Sequence, residues 1–168
     1  MSNPNGARGA KAERDLVVWL REHGWPDACR ARGEGTVDRG DIGGIPGVCV
    51  QVKAAAKPEY VMARLRAAQQ GALAQAWGRR EVAVVKLPGV GDPGSWWAAT
   101  PLPKWCPTSA LSPPSTQPRV GYLAPAVTIQ HAINERGGAL RDGPGLDGDW
   151  VWWITTVDRL FAALEEGS

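Results

Sequence analysis

The chain has 168 residues, 43% of them apolar, and a net charge of +2. This is the length of one domain with enough apolar content for a core, which excludes a disordered chain. No apolar run reaches the roughly 18 residues of a membrane span, and Met1–Ala12 is polar and basic without a secretory apolar stretch, so the sequence reads as soluble and intracellular.

Residues 1–10 read as a flexible arm. Lys11–His23 is predicted as the first helix, because Leu16, Val17 and Leu20 recur at helical spacing; Gly24 and Pro26 end it. Ala28–Arg32 reads as a short strand and the Gly-rich 33–47 as loop. In Val48–Lys53, alternation puts Val48, Val50 and Val52 on one face and Cys49, Gln51 and Lys53 on the other. Tyr60–Trp77 reads as the second helix, with Val61, Leu65, Ala68, Ala72 and Ala76 along one side. Glu81–Leu87 is predicted as a strand and Ser95–Thr100 as its hairpin partner. Seven prolines between 101 and 125 argue against a regular helix or central strand there. Val127–Arg136 reads as a short helix, 137–149 as loop, Trp150–Thr155 as strand, and Val157–Glu166 as a last helix that Thr156 could N-cap. This order is that of an α/β or α+β domain with a mixed sheet.

Three cysteines (Cys29, Cys49, Cys106) form no C-x-x-C pair, and His23 and His131 lie far apart in sequence. A disulfide framework or zinc site is not expected; a metal, if used, would be a hard cation held by carboxylates. Residues 1–100 carry a net charge of +4 and the remainder −2, a mild bias compatible with a polyanionic partner. Of nine tryptophans, Trp96, Trp97, Trp105, Trp150, Trp152 and Trp153 crowd the second half. Packing in a core or an oligomer interface accounts for them better than base stacking. Alternation splits Trp150 and Trp152 from Trp153, so one of them is expected to meet a partner subunit.

The residues that could carry chemistry lie in the first third. Glu13 projects from the same side of its helix as Leu16, Val17 and Leu20. A carboxylate there is exposed at the helix end, paired or used; a plain first-turn role beside the helix dipole is the simpler account. A strand around Asp41 would pair with Val48–Lys53, whose Gln51 and Lys53 share a face. One acid on one strand, with an oxygen ligand and a lysine on the next, can hold a divalent ion beside a water. Taken singly, Asp41 reads as a turn cap and Lys53 as a surface residue.

Together, Glu13-Arg14-Asp15-Leu16, Arg30-Ala31-Arg32-Gly33, Asp41-Ile42 and Val50-Gln51-Val52-Lys53 resemble the PD-(D/E)XK nuclease superfamily. The order is most similar to archaeal-type Holliday junction resolvases and their phage-encoded relatives. The resemblance covers roughly residues 8–87. It implies a restriction-endonuclease-like core in 11–100: a central mixed sheet flanked by helices. Residues 101–149 would be a Pro/Gly-rich excursion, and 150–168 a strand and helix on the same domain. It implies a DNA endonuclease using Mg2+ or Mn2+, acting as a homodimer on four-way junctions in the cytoplasm of a bacterial or phage-infected cell. Glu13, Asp41 and Gln51 would hold the metal, and Lys53 would be the motif lysine. Gln69 or Gln70 would match an accessory glutamine. Arg14, Arg30, Arg32 and Arg39 would contact DNA, Arg32 foremost because flanking glycine lets a backbone approach phosphate. Gln51 departs from the usual acid: an amide brings one carbonyl oxygen and no charge. It leaves open the number of ions, another structure-specific or replication-repair nuclease of the same fold, and an inactive DNA-binding module.

Overall fold

The computed structural model describes residues 4–31, 40–102, 119–120, 125–145 and 148–166. Among the described residues eight strands form one mixed sheet: β1 (Cys29–Arg30), β2 (Ile42–Gly43), β3 (Val48–Ala54), β4 (Arg80–Lys86), β5 (Trp97–Leu102), β6 (Arg119–Val120), β7 (Ala139–Gly145) and β8 (Gly148–Thr156). Their order across the sheet is β1-β2-β3-β4-β5-β8-β7-β6. The β3–β4 and β6–β7 pairs are parallel and the other pairs antiparallel. Four helices among the described residues cover it: α1 (Pro4–Glu22), α2 (Val61–Gln75), α3 (Ala126–Arg136) and α4 (Val157–Glu166).

The alternation read in β3 sorts the molecule into layers. Val48, Val50 and Val52 join Val82, Val84, Trp96, Ala98 and Trp153 under α1 and α4. The opposite face gives Ala83, Val85, Trp97, Ala99, Trp152 and Ile154 to α2 and α3. The five residues predicted to line the second helix are all buried. That helix is shorter than expected, because Pro58–Tyr60 forms a separate 3₁₀ turn before α2. The predicted hairpin partner of β4 is β5, shifted two residues onward. Asp15 on α1 accepts from Lys11 at 2.8 Å and from Lys86 of β4 at 3.0 Å, tying helix to sheet. Burial pushes its carboxyl up, but the two ammonium groups outweigh this and hold it below the usual range.

Three expectations are corrected. Residues 4–10 are not an arm but the first turns of α1, opened by Pro4, a residue suited to a helix start. Gly6 and Gly9 masked this in the sequence, because each weakens a helix locally. Pro101 lies within β5, a central strand. It is tolerated because the β4 ladder stops at Ala99, and the Glu81 carbonyl takes the Thr100 hydroxyl at 2.9 Å instead of a backbone N–H. Residues 139–145 form β7 despite two glycines and a proline, since pairing along β8 overrides their poor strand propensity. Trp152 and Trp153 are buried on opposite faces within the chain itself, while the side chain of Trp150, the third tryptophan of that expectation, lies outside the described residues.

Candidate functional site

Asp41, Gln51 and Lys53 meet where β2 leaves β3. Gly40 brings the chain in: its φ is +93°, and a Cβ there would stand 2.8 Å from the Val50 carbonyl oxygen, so only glycine fits. Asp41 N–H then donates to the Val50 carbonyl at 2.8 Å. One step further the ladder ends, and Asp41 Oδ2 accepts from Val52 N–H at 2.7 Å in place of a backbone acceptor. The carboxylate is thereby pinned beside the strand that carries the other two residues. Lys53 Nζ lies 3.8 Å from Asp41 Oδ2 and donates to Gln51 Oε1 at 3.1 Å. Gln51 is 3% exposed, while Lys53 and Asp41 keep about a third and a quarter of their side chains in solvent.

Lys53 also opens onto a cleft of about 230 Å³ between the start of α1, the end of β3 and the first turn of α2. Gly6, Arg8, Gly9 and Glu13 line one wall, Val52, Lys53 and Ala54 the floor, and Arg64 the other wall. Glu13 thus lines the same cleft as Lys53. Its Oε2 accepts from Arg30 Nε at 2.8 Å and Nη2 at 2.6 Å. Arg30, expected on DNA, is therefore committed first to orienting Glu13. Three cations against one carboxylate make the cleft lining net basic, which favours a polyanion.

Arg14 is exposed on α1 and does not line this cleft. Arg32 and Arg39 lie outside the described residues. Neither predicted accessory glutamine lines the cleft: Gln69 is fully buried with neither amide atom hydrogen-bonded among the described residues, and Gln70 is exposed. The glutamine that reaches the site is Gln75, whose Oε1 accepts from Gln51 Nε2. Arg64 was also missed. A helix returning after a strand brings its first turn over the strand's end, and that geometry singles out Arg64 as the exposed cation of the turn.

No group of three His, Cys, Asp or Glu side chains suited to a metal converges among the described residues. Two carboxylates flank Lys53: Asp41 at 3.8 Å from its ammonium, and Glu13 in the lining of the cleft onto which Lys53 opens; the Gln51 carbonyl keeps a second lone pair. Magnesium is commonly held by one or two carboxylates, with waters and substrate phosphates completing its shell. The donor set fits that mode and does not fit a soft metal. No helix among the described residues is long and apolar enough to cross a membrane. Comparison with protein-family models, curated proteins and solved structures finds no match to this chain.

Proposed function

We propose that this chain is a metal-dependent endonuclease that hydrolyses phosphodiesters in DNA, built on a restriction-endonuclease-like core. Holliday junction resolution is its most specific form. The supporting observation is Lys53, which touches the Asp41–Gln51 cluster on one side and shares a basic cleft with Glu13 and Arg64 on the other. An arrangement of this kind has little use in a purely structural strand end. It matches what phosphodiester hydrolysis needs: carboxylates for a hard cation, a cation at the developing charge, and a groove for a charged backbone.

Arg8 and Arg64 on the two walls would hold phosphates flanking the cut. Asp41 and Glu13, with the Gln51 carbonyl, would hold Mg2+ or Mn2+. The bound ion supplies Lewis-acid stabilisation and a water of lowered pKa. Lys53 would stand beside the attacked phosphate and neutralise its added charge, kept in place by Asp41 and Gln51. Arg30 would hold Glu13 in one orientation toward the cleft. Two symmetric cuts in a junction require two such sites, hence a two-fold homodimer. A DNA substrate puts this work in the cytoplasm of a bacterial or phage-infected cell.

A second reading, a DNA-binding module without catalysis, is favoured by one feature: Gln51 is neutral and its oxygen already accepts from Lys53. The test is incubation of the protein, and of Asp41→Ala, with end-labelled four-way junction, flap, linear duplex and single-stranded DNA plus Mg2+ or Mn2+. Paired symmetric nicks in the junction, absent with Asp41→Ala, are expected. Cleavage of flaps or duplex instead makes the protein a different nuclease of the same site. Salt-dependent binding without cleavage under either metal overturns the nuclease reading in favour of the module.

A further inference from the structure

We propose that Gln75 is a positioning residue that acts on Lys53 through the amide of Gln51; this rests on the nuclease reading above and deepens it. A lysine ammonium only donates hydrogen bonds, so the end of Gln51 that lies 3.1 Å from Lys53 Nζ has to be the amide oxygen. The other end is then an NH2 group, which only donates. It sits in a place 3% exposed, where an unmatched donor would be costly. Gln75 Oε1 meets that need.

The helix above is shaped for this amide. Gly71 lies one turn before Gln75, and a Cβ on it would stand 3.1 Å from Gln51 Oε1 and 3.2 Å from its Cδ. One bare position and one acceptor on the same face of α2 therefore enclose the side chain. The outcome is a chain from Gln75 to Gln51 to Lys53 that ends 3.8 Å from the Asp41 carboxylate.

A carboxylate at position 51 would not need this clamp, because both of its oxygens accept. An amide has a wrong way round: flipped, it would present NH2 to the ammonium. Gln75 is the group that fixes which way it faces. It lets a neutral residue at position 51 hold the lysine as an acid would.

The test is a mutant cycle. Gln75→Leu and Gln75→Glu are made in the natural protein, and Gln75→Leu is made again in Gln51→Glu. Cleavage of the preferred DNA is followed with Mg2+. In the natural background Gln75→Leu is expected to lower kcat about tenfold with KM unchanged, the upper end of what one hydrogen bond between neutral groups contributes. Gln75→Glu still accepts and restores most of it. In the Gln51→Glu background Gln75→Leu should change kcat by no more than about twofold, since coupled residues are strongly non-additive. An equal loss in both backgrounds, or none in the natural one, overturns the proposal. A second readout does not depend on activity: side-chain amide NMR of Gln51, whose NH2 signals should exchange slowly with water in the natural protein and quickly in Gln75→Leu. Equal protection in the two overturns the clamp. If the natural protein cuts no DNA, the nuclease reading fails, and the NMR comparison still decides whether Gln75 holds Gln51.

Discussion

One face of the sheet carries two kinds of chemistry. Toward its centre, beneath α2 and α3, β4, β5 and β8 present Ala83, Val85, Trp97, Ala99, Trp152 and Ile154. On β3 the same face presents Gln51 and Lys53, held by Asp41 and Gln75. The central part is mainly shape and area filled by large rings, with the Trp97 indole N–H matched by Gln130 Oε1 at 2.7 Å. The β3 part buries polar groups, whose desolvation is offset only because each end of Gln51 is matched. The apolar core and the polar cluster are thus separated along one face by a single strand's width, about 4.8 Å per strand.

The sharpest way to break this separation is to hit the central part. Trp152 is fully buried, and Trp152→Ala is expected to cost about 3–5 kcal/mol of stability, the range for large aromatic truncations. Urea unfolding measures this. The fraction that remains folded should still cleave DNA at the natural rate; a specific rate that falls with stability would mean the two parts are not separate. Asp41→Asn attacks the other part. Its amide oxygen can still accept from Val52 N–H, so stability should change by about 1 kcal/mol or less, while kcat falls about 10²–10³-fold, as when one charge stabiliser is lost. Single-turnover cleavage and urea unfolding of the same preparation check the pair.

Arg64→Ala extends the test to the cleft wall. It should raise KM about tenfold, leave kcat nearly unchanged, and reduce the salt slope of DNA binding by about one. A fall in kcat alone would assign Arg64 to the reacting phosphate instead. The smallest effect belongs to Asp15, on the other side of the sheet. Its carboxyl is held below its usual range when folded, so its contribution is present above the unfolded carboxyl pKa and lost as pH falls through the folded one. Asp15 is about a quarter exposed, which limits its pairs to about 1 kcal/mol or less. Asp15→Asn should therefore be destabilised by that amount at neutral pH and match the natural protein at strongly acidic pH. Urea unfolding at both pH values reads the difference, and a gap that persists in acid would mean lost packing instead.

Most of the layer structure was legible in the sequence because period carries it. The valines of β3 and the Val61, Leu65, Ala68, Ala72 and Ala76 stripe of α2 encode burial directly. What failed was decided by distant partners. Residues 139–145 look like loop until β8 pairs with them, and Pro101 looks excluded until the Thr100 hydroxyl replaces the missing donor. The site divides the same way. Glu13, Asp41, Gln51 and Lys53 could be named from spacing, since they sit on predictable elements. Gln75 could not be separated from Gln69 and Gln70, because the choice depends on how α2 is rotated over β3. Gly71 was the available clue: a residue with no side chain marks the point where Gln51 comes closest.

The most direct test of the central claim is Lys53→Met, which keeps an unbranched side chain one atom shorter and removes its charge. Cleavage of labelled four-way junction DNA with Mg2+ and urea unfolding should be measured on the same sample. The account predicts a kcat lowered about 10²-fold or more, with stability within about 1 kcal/mol of the natural protein. Cleavage at the natural rate by Lys53→Met would contradict it, and so would a natural protein whose cleavage needs neither metal nor this lysine.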